Sequence, residues 1–131
     1  MDNLHSHNPN WKLSELAGKR IHFIGIGGSG MSGLARIAIS HRINVSGSDA
    51  SDSSVLSALR ALGAEIKIGH QASNVIGADL VVYSNAIKAD NPERVATSKM
   101  AIPEITRASA LSLLMSDSFS IAVAGTHGKT T

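Results

Sequence analysis

The sequence predicts an α/β domain built on a parallel sheet of about five strands, and three observations carry that prediction. From Arg20 onward, short apolar runs alternate with segments of helical period. A glycine-rich turn joins the first apolar run to the first helical segment. Capping and turn residues punctuate the remainder at the intervals that strand–helix crossovers between parallel neighbours require.

The apolar runs cover residues 21–27, 44–47, 65–68, 79–83, 101–103 and 120–124. Between the first two, Met31, Leu34, Ile37 and Ala38 recur at a spacing near 3.6, and Val55, Leu56, Leu59 and Leu62 do so before the third. Gly63 stands where a left-handed residue would close that second helix. Asn91-Pro92 pairs an N-cap with a proline at the first helical position and predicts a helix to about Lys99; residues 109–115 form the last. The first five runs fit one domain over residues 19–117, behind a flexible, polar lead-in at 1–18. The sixth run is expected to open a further domain at 118–131, as a lone strand with its backbone groups poorly anchored.

Composition excludes several classes. Twelve Lys and Arg against ten Asp and Glu give a net charge of +2, scattered without a basic stripe. Two Phe, one Tyr and one Trp make no stacking platform, so nucleic acid is not an expected partner. There is no cysteine, hence no disulfide and no thiolate metal site, which fits a cytosolic protein. No apolar run approaches the roughly 20 residues that cross a bilayer, and none resembles a signal peptide, so no membrane partner is expected.

Two segments carry chemistry. Gly25-Ile26-Gly27-Gly28-Ser29-Gly30 is a G-x-G-x-x-G turn at a strand end and a helix start. Gly25 allows the tight turn, Gly27 lets backbone approach a phosphate, and Gly30 lets helix pack on strand, as in a Rossmann-like domain. The helix beginning there turns unpaired N–H groups and a partial positive charge toward a diphosphate. Asp49 closes the second strand nineteen residues after Gly30, where it would accept from ribose hydroxyls; its alternative role is a cap for the helix starting near Asp52. The other segment runs from a strand into Gly125-Thr126-His127-Gly128-Lys129-Thr130-Thr131. This has P-loop logic: Lys129 reaches the β/γ-phosphate oxygens and Thr130 offers its hydroxyl to Mg²⁺, although Val123 stands where the ordinary pattern has its first glycine. The first loop alone is equally compatible with an NAD(P)-dependent oxidoreductase or a non-catalytic nucleotide sensor. Paired with a triphosphate loop, it suggests a nucleotide-bearing substrate at one site and ATP at the other.

These residues also resemble a known family. Residues 21–33, Ser46-Gly47-Ser48-Asp49, the stretch 82–87, Asp90-Asn91-Pro92-Glu93 and the loop 124–131 occur in the order found at the start of the Mur ligases. They look most like the member that adds L-alanine to UDP-N-acetylmuramate in peptidoglycan synthesis. The resemblance implies the front of a longer ATP- and Mg²⁺-dependent ligase, inactive as this piece alone, working through an acyl phosphate. It implies that Gly27, Gly28, Ser29, Gly30 and Ser32 cradle the UDP diphosphate, with Asp49 and His70 near ribose and uracil and Ser84, Asn85 and Ala86 near the sugar-phosphate. Lys129 would serve catalysis. Tyr83 and Asn85 depart from the smaller residues the family pattern leads one to expect. His22 is expected to be structural, and Arg107 to be either a substrate-facing cation or a solvated helix start.

Overall fold

The computed structural model describes residues 12–115; the strand expected at 120–124 and the loop at 125–131 lie outside them. Five strands, β1 (Arg20–Ile24), β2 (Asn44–Asp49), β3 (Glu65–Ile68), β4 (Leu80–Tyr83) and β5 (Glu104–Thr106), form one sheet in the order β3-β2-β1-β4-β5. Every pairing is parallel. The helices are α1 (Ser29–Ser40), α2 (Ser54–Ala61), α3 (Pro92–Lys99) and α4 over residues 107–115, with 3₁₀ turns at Leu13–Leu16 and Ala72–Val75.

The central strand is covered on both sides, as a parallel sheet demands. Ile21 and Phe23 point into the larger core with Met31, Leu34, Ala35 and Ala38 of α1, Leu56 and Leu59 of α2, and Ala110 and Leu114 of α4. Ile24 turns to the other face, where Val75, Val81 and Ala96 make a smaller cluster. The expected helix stripes thus hold in their centres, while Val55 and Leu62 at the margins of α2 remain exposed.

Local signals end the elements where expected. Gly63 has φ +109 just past α2. Asn91 Oδ1 accepts from the Glu93 amide at 2.8 Å, with Pro92 opening α3. Two expectations need correction. The fifth strand is not 101–103 but Glu104–Thr106. Ala101 sits at φ +57 in the turn leaving α3, and pairing of Glu104–Thr106 with Val81–Tyr83 sets the strand, so sheet register overrides the apolar Ile102. The packed domain also starts ahead of Lys19, because Leu13 and Leu16 of the first 3₁₀ turn are buried in the larger core.

One contact joins sheet to loop. A Cβ on Gly47 in β2 would lie 2.5 Å from Ile26 Cδ1 and 2.7 Å from Ile26 Cβ, in the glycine turn after β1. Ile26 is itself fully buried, and its Cβ is fixed to the backbone whatever rotamer the side chain adopts, so it cannot retreat without a backbone shift. Gly47→Ala is therefore expected to destabilise the domain by about 1–3 kcal/mol in urea titrations. Gly33→Ala, where an added Cβ meets nothing within 4 Å, should leave stability unchanged or slightly raised.

Candidate functional site

The chain's polar signatures converge at the carboxyl ends of the strands. The glycine turn follows β1, Asp49 ends β2, His70 lies two residues past β3, residues 84–86 follow β4, and Arg107 follows β5 directly. The strand order places β1 beside β4, where connections leave in opposite directions and an open α/β sheet forms its crevice.

Within the turn, Gly25 adopts φ +80, which a side chain would resist. Its amide and that of Ile26 both donate to Ser48 O, at 2.8 and 3.0 Å, which ties the turn to β2. Gly28 caps α1 without a side chain, and the first turn of α1 carries no acid. The first-turn N–H groups of Ser29 and Gly30 thus stand at the positive end of the helix without a side-chain cap. Ser32, one turn on, bonds back to Gly28 O at 3.0 Å.

Asp49 is held rather than free: Oδ2 accepts from the Gly27 amide at 2.8 Å and Oδ1 from the Ala50 amide at 2.8 Å. It is not a helix cap, because Ser53 caps α2, its Oγ accepting from Leu56 N at 3.4 Å. The carboxylate still has lone pairs toward the crevice for a hydroxyl donor. On the other side, Ile87 packs over Gly25, its Cδ1 being 3.3 Å from where a Cβ would stand, and Ile87 N closes a turn on Ser84 O at 3.0 Å. Ser84, Asn85 and Ala86 are thereby set next to the glycine turn. Arg94 braces this connection, donating to Ile87 O at 3.2 Å with its guanidinium 3.8 Å from the Tyr83 ring centroid. The larger Tyr83 has become a platform for that cation.

Arg107 opens α4 as an exposed residue, as a helix start would, and it also borders the crevice. Its side chain lies across Gly30, with Cδ 2.8 Å and Nη1 3.1 Å from a would-be Cβ there. Together with Asn85, Thr106 and Ala108 it lines a small cleft. A cation beside the open N-terminus of α1 makes the anion-attracting field stronger than the helix alone provides.

His70 is brought in from β3 by Ser48, whose Oγ is 3.0 Å from its Nδ1. Behind both lies a residue that sequence reasoning passed over. Glu93, near the start of α3, is fully buried. Its Oε1 accepts from His22 Nε2 at 2.7 Å and Ser48 Oγ at 2.8 Å; its Oε2 accepts from Gln71 N at 3.0 Å and Asn74 Nδ2 at 2.8 Å. Burial alone would raise its pKa, but hydrogen bonds from His22, Asn74 and Ser48 outweigh that and hold it at about 2. His22 is structural as expected, with Nδ1 2.9 Å from Ser46 Oγ. An acid just after Asn-Pro reads as a helix-dipole partner on the surface; nothing local says that it is buried. The loop from Gly125 to Thr131, including Lys129 and Thr130, lies outside the described residues, and among the described residues no cluster of three His, Cys, Asp or Glu is placed to hold a metal.

A fully parallel sheet in this order, with a glycine turn at its switch point, defines the Rossmann-like class of α/β domains. Comparison with known proteins narrows the class. The Mur ligase family, catalytic domain, matches residues 20–119, and the chain belongs to that family. It is 50% identical over 113 residues to the UDP-N-acetylmuramate–L-alanine ligase of Sulfurihydrogenibium sp., covering 86% of this chain and 25% of that protein. Among solved structures it resembles the UDP-N-acetylmuramate-alanine ligase MurC of Thermotoga maritima, at 34% identity and TM-score 0.70 over 78% of this chain and 23% of that one. It also resembles the UDP-N-acetylmuramate:L-alanyl-γ-D-glutamyl-meso-diaminopimelate ligase of Neisseria meningitides, at 36% identity and TM-score 0.64 over 68% and 28%. The chain spans about a quarter of the length of these relatives.

Because the folded pKa of Glu93 lies below its ordinary value of 4.5, its contribution to stability is complete above that value and is lost as the pH falls toward 2. Denaturation measured across that window should show stability declining with acid. Glu93→Gln should be less stable at neutral pH and flatter between pH 4.5 and 2; a variant profile parallel to the wild type would contradict the assignment.

Proposed function

We propose that this chain is the UDP-sugar-binding front of an ATP-dependent ligase that joins L-alanine to UDP-N-acetylmuramate in cytoplasmic peptidoglycan synthesis. The observation that carries the reading is the convergence of an uncapped α1 N-terminus, Asp49 and Arg107 on one crevice, in a chain of the Mur ligase family. In it, residues 27–30 and Ser32 receive the diphosphate, Arg107 adds a charged donor, Asp49 and His70 meet the nucleoside, and Ser84, Asn85 and Ala86 line the path toward the sugar. A division into a sheet domain ending near residue 117 and an ATP-binding segment at 118–131 goes with this reading.

The chemistry requires a poor leaving oxygen to become a good one. The muramyl carboxylate takes the γ-phosphoryl group of ATP and ADP leaves; the alanine amine then attacks the resulting acyl phosphate, and loss of phosphate and of an amine proton leaves the amide. Thr130 would help hold Mg²⁺, which when bound would neutralise charge during phosphoryl transfer, and Lys129 would do the same from the loop. The described residues have a different task, which is to bind and orient the nucleotide end. On this reading the 131 residues bind the UDP-sugar and catalyse nothing without the remainder of the enzyme.

Calorimetry on the chain should show binding of UDP-N-acetylmuramate and no response to NADH; a folded chain that bound NADH and ignored the UDP-sugar would favour the oxidoreductase alternative. Arg107→Ala should weaken UDP-sugar binding by roughly tenfold to a hundredfold, the size of a charge-assisted hydrogen bond, while leaving stability nearly unchanged because the side chain is exposed. In the longer enzyme, Lys129→Ala should abolish ATP turnover and spare UDP-sugar affinity. Equal loss of both would contradict two separate sites.

A further inference from the structure

Ser48 has a single hydroxyl hydrogen and two close polar neighbours, Glu93 Oε1 at 2.8 Å and His70 Nδ1 at 3.0 Å. The carboxylate is already the acceptor for His22, Gln71 and Asn74, and it has no proton of its own to donate. The Ser48 hydrogen therefore goes to Glu93, since any other orientation would set two oxygen lone pairs against each other in a buried site. That leaves Ser48 Oγ as an acceptor toward His70, so the hydrogen between them belongs to His70 Nδ1. The nearby Glu93 Oε2, 3.5 Å from the same nitrogen, favours the same placement.

We propose that Glu93, acting through Ser48, is a positioning residue that fixes His70 in the Nδ1–H tautomer, so that its Nε2 presents a hydrogen-bond acceptor to a donor group of the bound nucleoside. His70 is the partly exposed end of a relay whose other members are buried: Glu93 and Ser48 have no accessible surface. Each link is held from a different element, Glu93 by α3, Ser48 by β2, and Gln71 and Asn74 by the connection after β3. The ring is thus oriented before any ligand arrives. An acceptor there selects for the uracil imide N–H or a ribose hydroxyl and against a carbonyl oxygen. Which nucleoside group it meets rests on the UDP-sugar reading; the tautomer itself does not.

Nitrogen-15 NMR of the imidazole rings in the 131-residue chain tests the tautomer without any ligand. His70 should carry its hydrogen on Nδ1 at pH 7.5, and Ser48→Ala should give a mixture of tautomers while the thermal transition stays cooperative. A wild-type ring protonated on Nε2 or on both nitrogens, or a tautomer unchanged in Ser48→Ala, overturns the proposal. With UDP as the probe, Ser48→Ala and His70→Ala should each weaken binding by roughly threefold to tenfold, the range of one net hydrogen bond. In the wild type, either the N3-methyl or the 2′-deoxy analogue of UDP should bind weaker by a similar factor, and that penalty should vanish in His70→Ala. If neither analogue shows a penalty that depends on His70, the acceptor role is wrong. If the tautomer is as stated but UDP does not bind at all, the UDP-sugar reading fails and the relay stands.

Discussion

A buried carboxylate organises one whole face of this domain. Removing Glu93 from water is costly unless every lone pair it turns inward finds a donor, and four elements are arranged so that it does. β1 brings His22, β2 brings Ser48, the segment after β3 brings Gln71 and Asn74, and α3 carries the acid itself. The register aligning His22 with Ser46, and Ile24 with Ser48, puts the polar side chains of the two strands on the same side of the sheet. That side has only a small apolar cluster, Ile24, Val75, Val81 and Ala96, so its cohesion depends on the polar network as much as on burial. A carboxylate with four donors also specifies geometry more sharply than a methyl-lined contact, because each hydrogen bond has a direction as well as a distance.

The opposite face follows the ordinary rule of apolar packing and supplies most of the hydrophobic core. The glycine turn is the junction between the two. It leaves β1 with Gly25 in a left-handed conformation, hangs from Ser48 O by two amides, and drives Ile26 onto Gly47. Ser48 therefore serves both systems: its backbone carbonyl holds the turn, and its hydroxyl joins the relay from Glu93 to His70. The glycine turn that leads into α1 and the His70 ring are consequently anchored to the same residue of β2. A shared anchor of this kind fixes the turn and the ring relative to one another.

Much of the architecture was legible before any coordinates. The alternation of apolar runs and helical periods identified four of the five strands close to their observed bounds, and Asn91, Pro92 and Gly63 marked helix ends through local rules that do not depend on tertiary context. The fifth strand shifted by three residues because a three-residue edge strand has too little pattern of its own; its pairing with β4 decides where it lies. Leu13 and Leu16 were hidden in a polar neighbourhood, where two leucines in a short turn carry no periodic signal.

The sequence by itself determined the fold class, the place of the glycine turn between strand and helix, and the family to which the chain belongs, since these follow from local pattern and ordered motifs. The tertiary structure decided what local pattern cannot express. Glu93 lies 71 residues from His22 and 45 from Ser48 along the chain, and only the parallel sheet brings them within hydrogen-bond distance. The same holds for Arg107 over Gly30 and for Gly47 under Ile26. In each case the defining quantity is a contact between distant segments, and a residue's type records such a contact only after the fold has made it.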